Sequence, residues 1–414
     1  VLDAVNANSN RVLSREETRF LLVEYLHLSL MYTILSTFPP HSSGNVGDKL
    51  LEEQVQHLIQ KERGVGDFNV VFREHDFSAT LDQLNASDAI ILPAFAIREP
   101  LYPQVYRLAE NIDEIQPPII PLASNWSHYP GDQLGNETHE YQTETLQFLQ
   151  RLANQPELDG FTTRDIYTKR ILERHGFEAR LVGDLGWYHD DYLGHEMRVP
   201  DSIDHIVMTT PHNAHYVDQA EGVMDMLIER YPDATLTCSF HSRLTDSDRQ
   251  LRELAKDRGF KVVLASHDTK NIEFYNDCDL HVGYRLHGHI SFLRRRLPSV
   301  LIGEDGRGNG FNATLGTAGF PATQRRLGPR TAKLVQSFAG ALPGKGLRKF
   351  IQHRGLSERP FHTLIAPPDP KVPEKINAFL QEEQTNGFKS YKAVPELFDE
   401  TYENSMKPFL KKLP

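Results

Sequence analysis

The run Ile206-Val207-Met208-Thr209 is followed by an amphipathic stretch from Gln219 to Arg230, a second run Thr235-Leu236-Thr237-Cys238-Ser239, another amphipathic stretch from Asp246 to Arg258, and a third run from Lys261 to Leu264. Short apolar runs alternating with helical stretches predict a parallel sheet, because parallel neighbours need a crossover that returns the chain to the same edge, and a helix supplies it. The alternation continues with a strand at Leu280 to Gly283, a helix at Leu286 to Arg295 and a strand at Ser299 to Ile302. The fold class is therefore α/β, with a Rossmann-like lobe that begins at about His205.

Upstream the same alternation appears once more. Strands are expected at Tyr32 to Ser36, Asn69 to Phe72, Ala89 to Leu92 and Ile119 to Leu122. Between the first two, Leu50, Leu51, Val55, Leu58 and Ile59 fall on one face of a helix from Lys49 to Gln60, with Asp48 as its expected N-cap. A helix from Thr163 to His175 ends at Gly176, and a strand follows at Ala179 to Val182. The polar stretch Asp190 to Asp204, containing Pro200, reads as the connection between lobes.

The chain has 414 residues, more than a single core usually holds. The expected division is residues 1–198 as an N-terminal Rossmann-like lobe, 199–330 as a C-terminal Rossmann-like lobe, and 331–414 as an extension. Helices at Pro373 to Gln384 and Pro395 to Lys411 would let that extension pack back on the lobes; a partner-binding role is the alternative.

A net charge of −11 disfavours nucleic acid as a partner. Two cysteines, Cys238 and Cys278, exclude a disulfide framework and a cysteine-based zinc site. Leu21 to Phe38 is apolar but carries Glu24 and His27 and ends at Pro39-Pro40, so it reads as a helix and a strand rather than a membrane span. The sequence begins at Val1 and not Met, which leaves the compartment open between cytoplasmic and, if an N-terminal anchor was removed, the Golgi lumen. Asn85, Asn125, Asn136 and Asn312 open Asn-x-Ser/Thr matches, which arise by chance in a chain of this size.

Gly283-Tyr284-Arg285-Leu286-His287-Gly288-His289 stands where a strand hands over to a helix. Ligands of open α/β sheets gather at such strand ends, and a helix N-terminus offers unpaired amides to an anion. Arg285 adds a fork shaped for carboxylate or phosphate, and His287 a proton donor near neutral pH. Arg307, in an expected loop Gly303 to Gly310 after the next strand, would be a second cation on the same rim. Gly44-Asn45-Val46-Gly47-Asp48 forms a further candidate anion loop. His212, His215 and His241 follow strands on the same edge and are expected in the cleft; with no cysteine neighbour and no His-Glu-x-x-His pattern, no metal is expected. The plain structural alternatives are that Arg285 and His287 cap the helix and pair with carboxylates, and that Gly44 to Asp48 merely starts one.

In order along the chain, Gly44-Asn45-Val46-Gly47-Asp48, Thr163-Arg164-Asp165, Val182-Gly183-Asp184 and Arg285-Leu286-His287 resemble the polysaccharide pyruvyl transferase family, over roughly residues 31 to 316. The resemblance implies a fold similar to the GT-B glycosyltransferases, with the acceptor on the N-terminal lobe and the donor on the C-terminal lobe. It implies transfer of the enolpyruvyl group of phosphoenolpyruvate to a saccharide acceptor as a pyruvate ketal, with no cofactor. Arg285, Leu286 and His287 would bind phosphoenolpyruvate, with Arg307 and His212 as further donor-binding residues, and His287 would be the acid. Two departures stand out. Members tend to carry an arginine where this chain reads Thr209-Thr210-Pro211-His212-Asn213, and a run of glycines where it reads Pro93-Ala94-Phe95-Ala96. The same scaffold would also suit a transferase with another anionic donor such as a nucleotide sugar, or a non-catalytic saccharide-binding relative.

Overall fold

The computed structural model describes residues 30–75, 80–316, 318–328, 330–331 and 362–414. The helix expected before Tyr32 lies outside the described residues, as do residues 332–361 of the extension.

The N-terminal lobe runs β1 (Tyr32–Ser36), α1 (Val46–Arg63), β2 (Phe68–Phe72), β3 (Ala89–Pro93), β4 (Ala96–Ile97), β5 (Ile119–Leu122), β6 (Asn125–Trp126), α2 (Thr143–Ala153), β7 (Phe161–Thr163), α3 (Ile166–Arg174) and β8 (Ala179–Leu181). Its main sheet has the order β2-β1-β3-β5, every pair parallel. β1, β3 and β5 are buried along their whole length, as expected of strands covered by helices on both faces.

The C-terminal lobe runs β9 (His205–Thr209), α4 (Val217–Arg230), β10 (Thr235–Phe240), α5 (Asp246–Asp257), β11 (Lys261–Leu264), β12 (Leu280–Gly283), α6 (Leu286–Arg294), β13 (Ser299–Gly303), α7 (Gly306–Leu315) and β14 (Gly319–Pro321). Its sheet is parallel throughout, in the order β11-β10-β9-β12-β13-β14. From β9 the chain steps outward to β10 and β11, then returns to place β12 on the other side of β9. The topological switch point therefore lies between the ends of β9 and β12, where such sheets leave a crevice. The first lobe has the same switch between β1 and β3.

The two Rossmann-like lobes face each other across a cleft. They are stitched on one flank by backbone hydrogen bonds, Val46 N–H to His241 O (2.9 Å), Arg243 N–H to Ser43 O (2.7 Å) and His267 N–H to Gly44 O (2.7 Å). On the other flank Gly306 N–H donates to His128 O (2.8 Å), and Ile166 N–H to Thr314 Oγ1 (2.9 Å). The C-terminal helices cross both lobes. α8 (Val372–Thr385) shares the core of the second lobe through Val372, Ile376 and Leu380, and the last helices bring Phe409 and Leu410 against Leu51, Val55 and Leu58 of α1. Between them Phe398 stacks on Trp187 with ring centroids 4.2 Å apart.

Three local expectations are corrected. The N-cap of α1 is Asn45, whose side chain accepts from Gly47 N–H, and Asp48 lies in the first turn; both residue types cap well, so their order decides nothing. The stretch from Thr163 splits into β7 and α3, with Asp165 capping α3 through Thr168 N–H. The expected loop Gly303 to Gly310 is mostly helix, because α7 begins at Gly306 behind the cap Asp305. Two of its glycines serve contact between lobes: a Cβ at Gly306 would strike Trp126, and one at Gly310 would strike Asp165.

Candidate active site

β9 and β12 end side by side at Thr209 and Gly283, and a Cβ on Gly283 would collide with the Thr209 backbone. That close pairing turns the chain sharply into α6. Arg285, the N-cap residue of α6, is held by its N–H on Thr209 Oγ1 (3.1 Å). Its guanidinium reaches back across the β9 loop: Nε donates to Thr210 O (2.8 Å), Nη2 to Pro211 O (3.4 Å) and Nη1 to Ser242 Oγ (3.5 Å). All three acceptors are neutral, and Arg285 is 4% exposed. The nearby carboxylates are engaged elsewhere, Glu304 with His212 (2.9 Å) and Asp305 with Arg307 (2.7 Å). Burial pulls the Arg285 pKa down, against the opposing charges of Asp248 and Glu304. The first turn of α6 has no side-chain cap, so its amides add to the same positive corner.

His287 sits one residue into that turn. Its ring packs over Gly47 of α1 so closely that a Cβ there would overlap Nδ1. Its Nε2 is buried, lacks a hydrogen bond and lies 3.9 Å from Asp184 Oδ2. Asp184 follows β8, accepts from Gly186 N–H (2.8 Å) and pairs with Arg164 Nη1 (3.3 Å). Arg164 is 2% exposed, and its Nε and Nη2 have no hydrogen-bond partner. Burial lowers the His287 pKa; Asp184 and Asp48 oppose this, and Arg164 and Arg307 add to it. The balance favours the neutral ring.

Arg164, Arg285 and His287 line a small notch of about 50 Å³ that opens into an interlobe cleft of about 550 Å³. Asn45, Asp48, Arg164, His212, His287 and Arg307 border both. Arg307 faces the notch already paired with Asp305, whose carboxyl is held at about 2: burial works to raise it and the guanidinium overrides that. His212 borders the notch too, and Glu304 accepts from its N–H and its ring; burial and the Arg285 charge lower its pKa, against the pull of Glu304. The Gly44 to Asp48 loop is not an amide cradle: Gly47 N–H is used by Asn45 Oδ1, Asp48 N–H by Asn45 O and Val46 N–H by His241 O. It presents the Asn45 and Asp48 side chains instead, while Gly44 and Gly47 admit the rings of His267 and His287. Of the other histidines, His241 borders the notch and bonds Tyr275 Oη (2.7 Å), whereas His215 lies away from it over Tyr216. Among the described residues no group of His, Cys, Asp and Glu could hold a metal ion.

A family model of polysaccharide pyruvyl transferases matches residues 45–306, a span that contains the residues lining the notch except Arg307 and Gly308 just beyond its end. The chain belongs to the polysaccharide pyruvyl transferase family. As a member it is a transferase, and the family name implies a saccharide acceptor. No curated protein matches the chain. Among solved structures it is similar to the UDP-GlcNAc 2-epimerase of Neisseria meningitidis bound to UDP-GlcNAc (9% identity, 92% of this chain and 99% of that one, TM-score 0.49). It is also similar to the S. aureus MnaA–UDP structure (12%, 87% and 98%, 0.45) and to WaaG, a glycosyltransferase of lipopolysaccharide biosynthesis (9%, 92% and 98%, 0.46). No helix among the described residues is long and apolar enough to cross a membrane.

Within this family member, Arg285, Leu286, His287, Arg307 and His212, drawn from separate loops of the C-terminal lobe, share one notch with Asn45 and Asp48 of the N-terminal lobe. Arg164 and Asp184 were visible in the sequence only as parts of family motifs, and the fold brings them directly behind His287. No spacing along the chain signals that meeting. The Pro93 to Ala96 loop keeps a glycine-like backbone despite its composition, since Ala94 adopts φ 47°.

Proposed function

We propose that this protein transfers the pyruvyl unit of phosphoenolpyruvate to two hydroxyls of a saccharide, forming a cyclic ketal and releasing phosphate. The observation that carries the reading is Arg285: a buried guanidinium held by neutral oxygens alone, at an uncapped helix N-terminus, within the notch that His287 shares. Such a corner calls for a small, multiply charged anion.

Arg285 and the α6 amides would hold the donor carboxylate or phosphate, with the two unpartnered nitrogens of Arg164 as a second fork from the opposite lobe. Bound anionic charge would raise the His287 pKa and let the ring take up a proton. Protonated His287 then gives that proton to the methylene carbon, leaving an oxocarbenium-like carbon that the first sugar hydroxyl attacks. Phosphate departs with the C–O bond electrons and takes up the proton of the first hydroxyl, its charge neutralised by the guanidinium groups. The second hydroxyl closes the ketal and its proton returns to the imidazole. Asp184, 3.9 Å from Nε2, would steady the imidazolium between these steps.

The test is phosphate release from phosphoenolpyruvate across a panel of saccharide acceptors, set beside nucleotide release from nucleotide sugars. Acceptor-dependent phosphate release, absent in His287→Ala, is expected. Nucleotide release alone would assign the notch to a nucleotide-sugar donor, and saccharide binding without turnover of any donor would mark a non-catalytic relative.

A further inference from the structure

The N-terminal wall of the cleft has polar groups that donor chemistry does not use. They lie at the second switch point, where β1, β2, β3 and β5 end together. Asn125, just after β5, is 2% exposed and borders the cleft; its Nδ2 donates to Ala94 O (2.7 Å), leaving Oδ1 buried with no partner. Thr37, after β1, likewise borders the cleft with a buried Oγ1 that lacks a partner. These are hydrogen-bonding groups suited to sugar hydroxyls.

Beside them stands charge. Arg73, after β2, borders the same cleft, and its guanidinium lies over the Tyr106 ring at 5.8 Å. Tyr106 is fully buried and its hydroxyl accepts from Ala96 N–H (2.7 Å), so one aromatic anchors both the β3 loop and the Arg73 stem. Arg73 Nε is buried and makes no hydrogen bond; the carboxylate recorded beside it, Glu74 Oε1, is 3.7 Å away on a half-exposed side chain. Arg98, from the loop after β4, also borders this wall and acts on the Tyr106 hydroxyl from the same side as a charge.

We infer that the acceptor is an anionic saccharide, whose carboxylate, sulfate or phosphate group is recognised by Arg73 with Arg98 while Asn125 and Thr37 hold neighbouring hydroxyls. This rests on reading the N-terminal wall as the acceptor side. Beside a neutral sugar the buried Arg73 Nε has only the Glu74 carboxylate, 3.7 Å away on a half-exposed side chain that borders the same cleft, whereas an acidic sugar would bring it a hydrogen-bonded counter-charge.

The test is binding without donor, so a failed phosphoenolpyruvate assay would leave it intact. A neutral hexoside, its uronate, its sulfate ester and its phosphate ester, on one aglycone, are titrated calorimetrically against the full chain. At least one anionic form is expected to bind about tenfold or more tightly than the neutral parent, as for a charge-assisted hydrogen bond. The best arm identifies the anion. Arg73→Gln should collapse the anionic-to-neutral ratio and Arg73→Lys retain part of it, whereas Arg151→Gln, whose partner Asp113 lies on the outer surface, should not change it. If Arg73→Gln does not fold, the wild-type salt dependence decides, because only the anionic arms should weaken at roughly 0.5 M salt. Equal binding of all four sugars, or an anionic preference untouched by Arg73→Gln, overturns the inference.

Discussion

Arg285 is buried against carbonyl and hydroxyl oxygens, a setting that costs solvation without the return of an ion pair and leaves the charge available to a ligand. Arg285→Met should therefore separate stability from binding. Thermal unfolding of the ligand-free protein should move upward by an amount on the order of 1 kcal/mol. Titrated phosphoenolpyruvate should lose about 2 to 5 kcal/mol of affinity. A less stable variant with intact binding would contradict the role assigned to this residue. At His287 the prediction concerns protons. Burial holds its folded pKa below the ordinary value, and a bound anion is expected to raise it. Donor binding at pH 7 should be accompanied by uptake of up to one proton, measured calorimetrically in buffers of different ionisation enthalpy. His287→Gln should abolish the uptake, and a wild-type protein that takes up none would refute the acid assignment.

Among elements, α1 places its first turn against the His287 ring. Gly47→Ala should improve the intrinsic helix propensity of α1 by roughly 1 kcal/mol. It should nonetheless lower turnover sharply, because the new methyl overlaps His287 Nδ1. Turnover and thermal midpoint measured together check this; unchanged turnover would show that the ring position is immaterial. The main strands were readable from the sequence because each is a short apolar run between turn signals, and β1, β5, β11 and β12 begin and end at the expected residues. α7 was not readable. Gly306, Gly308 and Gly310 disfavour a helix in isolation, and Gly306 and Gly310 are there because Trp126 and Asp165 of the other lobe leave no room for a Cβ. Arg285 and His287 were legible because a strand–helix junction is a local pattern. Arg164 and Asp184 were not, because their partnership with His287 depends on how two lobes meet. Asn125 appeared only as a glycosylation match, yet the folded chain buries it at the cleft wall.

In the whole molecule, hydrogen bonds join the lobes on both flanks of the cleft, and the C-terminal helices bridge them from behind. An inter-lobe rocking motion would have to break these together. Small-angle scattering should accordingly show the same radius of gyration with and without donor and acceptor; a contraction on ligand addition would mean that the stitches yield. A cleft already closed at its flanks also explains how the notch can assemble from both lobes before any ligand arrives, with Arg164 and Asp184 from one and Arg285 and His287 from the other.

The most direct measurement is a crystal soaked with phosphoenolpyruvate. The account predicts density in the notch, with an anionic group of the donor on the Arg285 guanidinium and the α6 amides, and the methylene carbon within reach of the His287 ring. Density for the donor elsewhere, or an empty notch at concentrations where the protein releases phosphate, would contradict it.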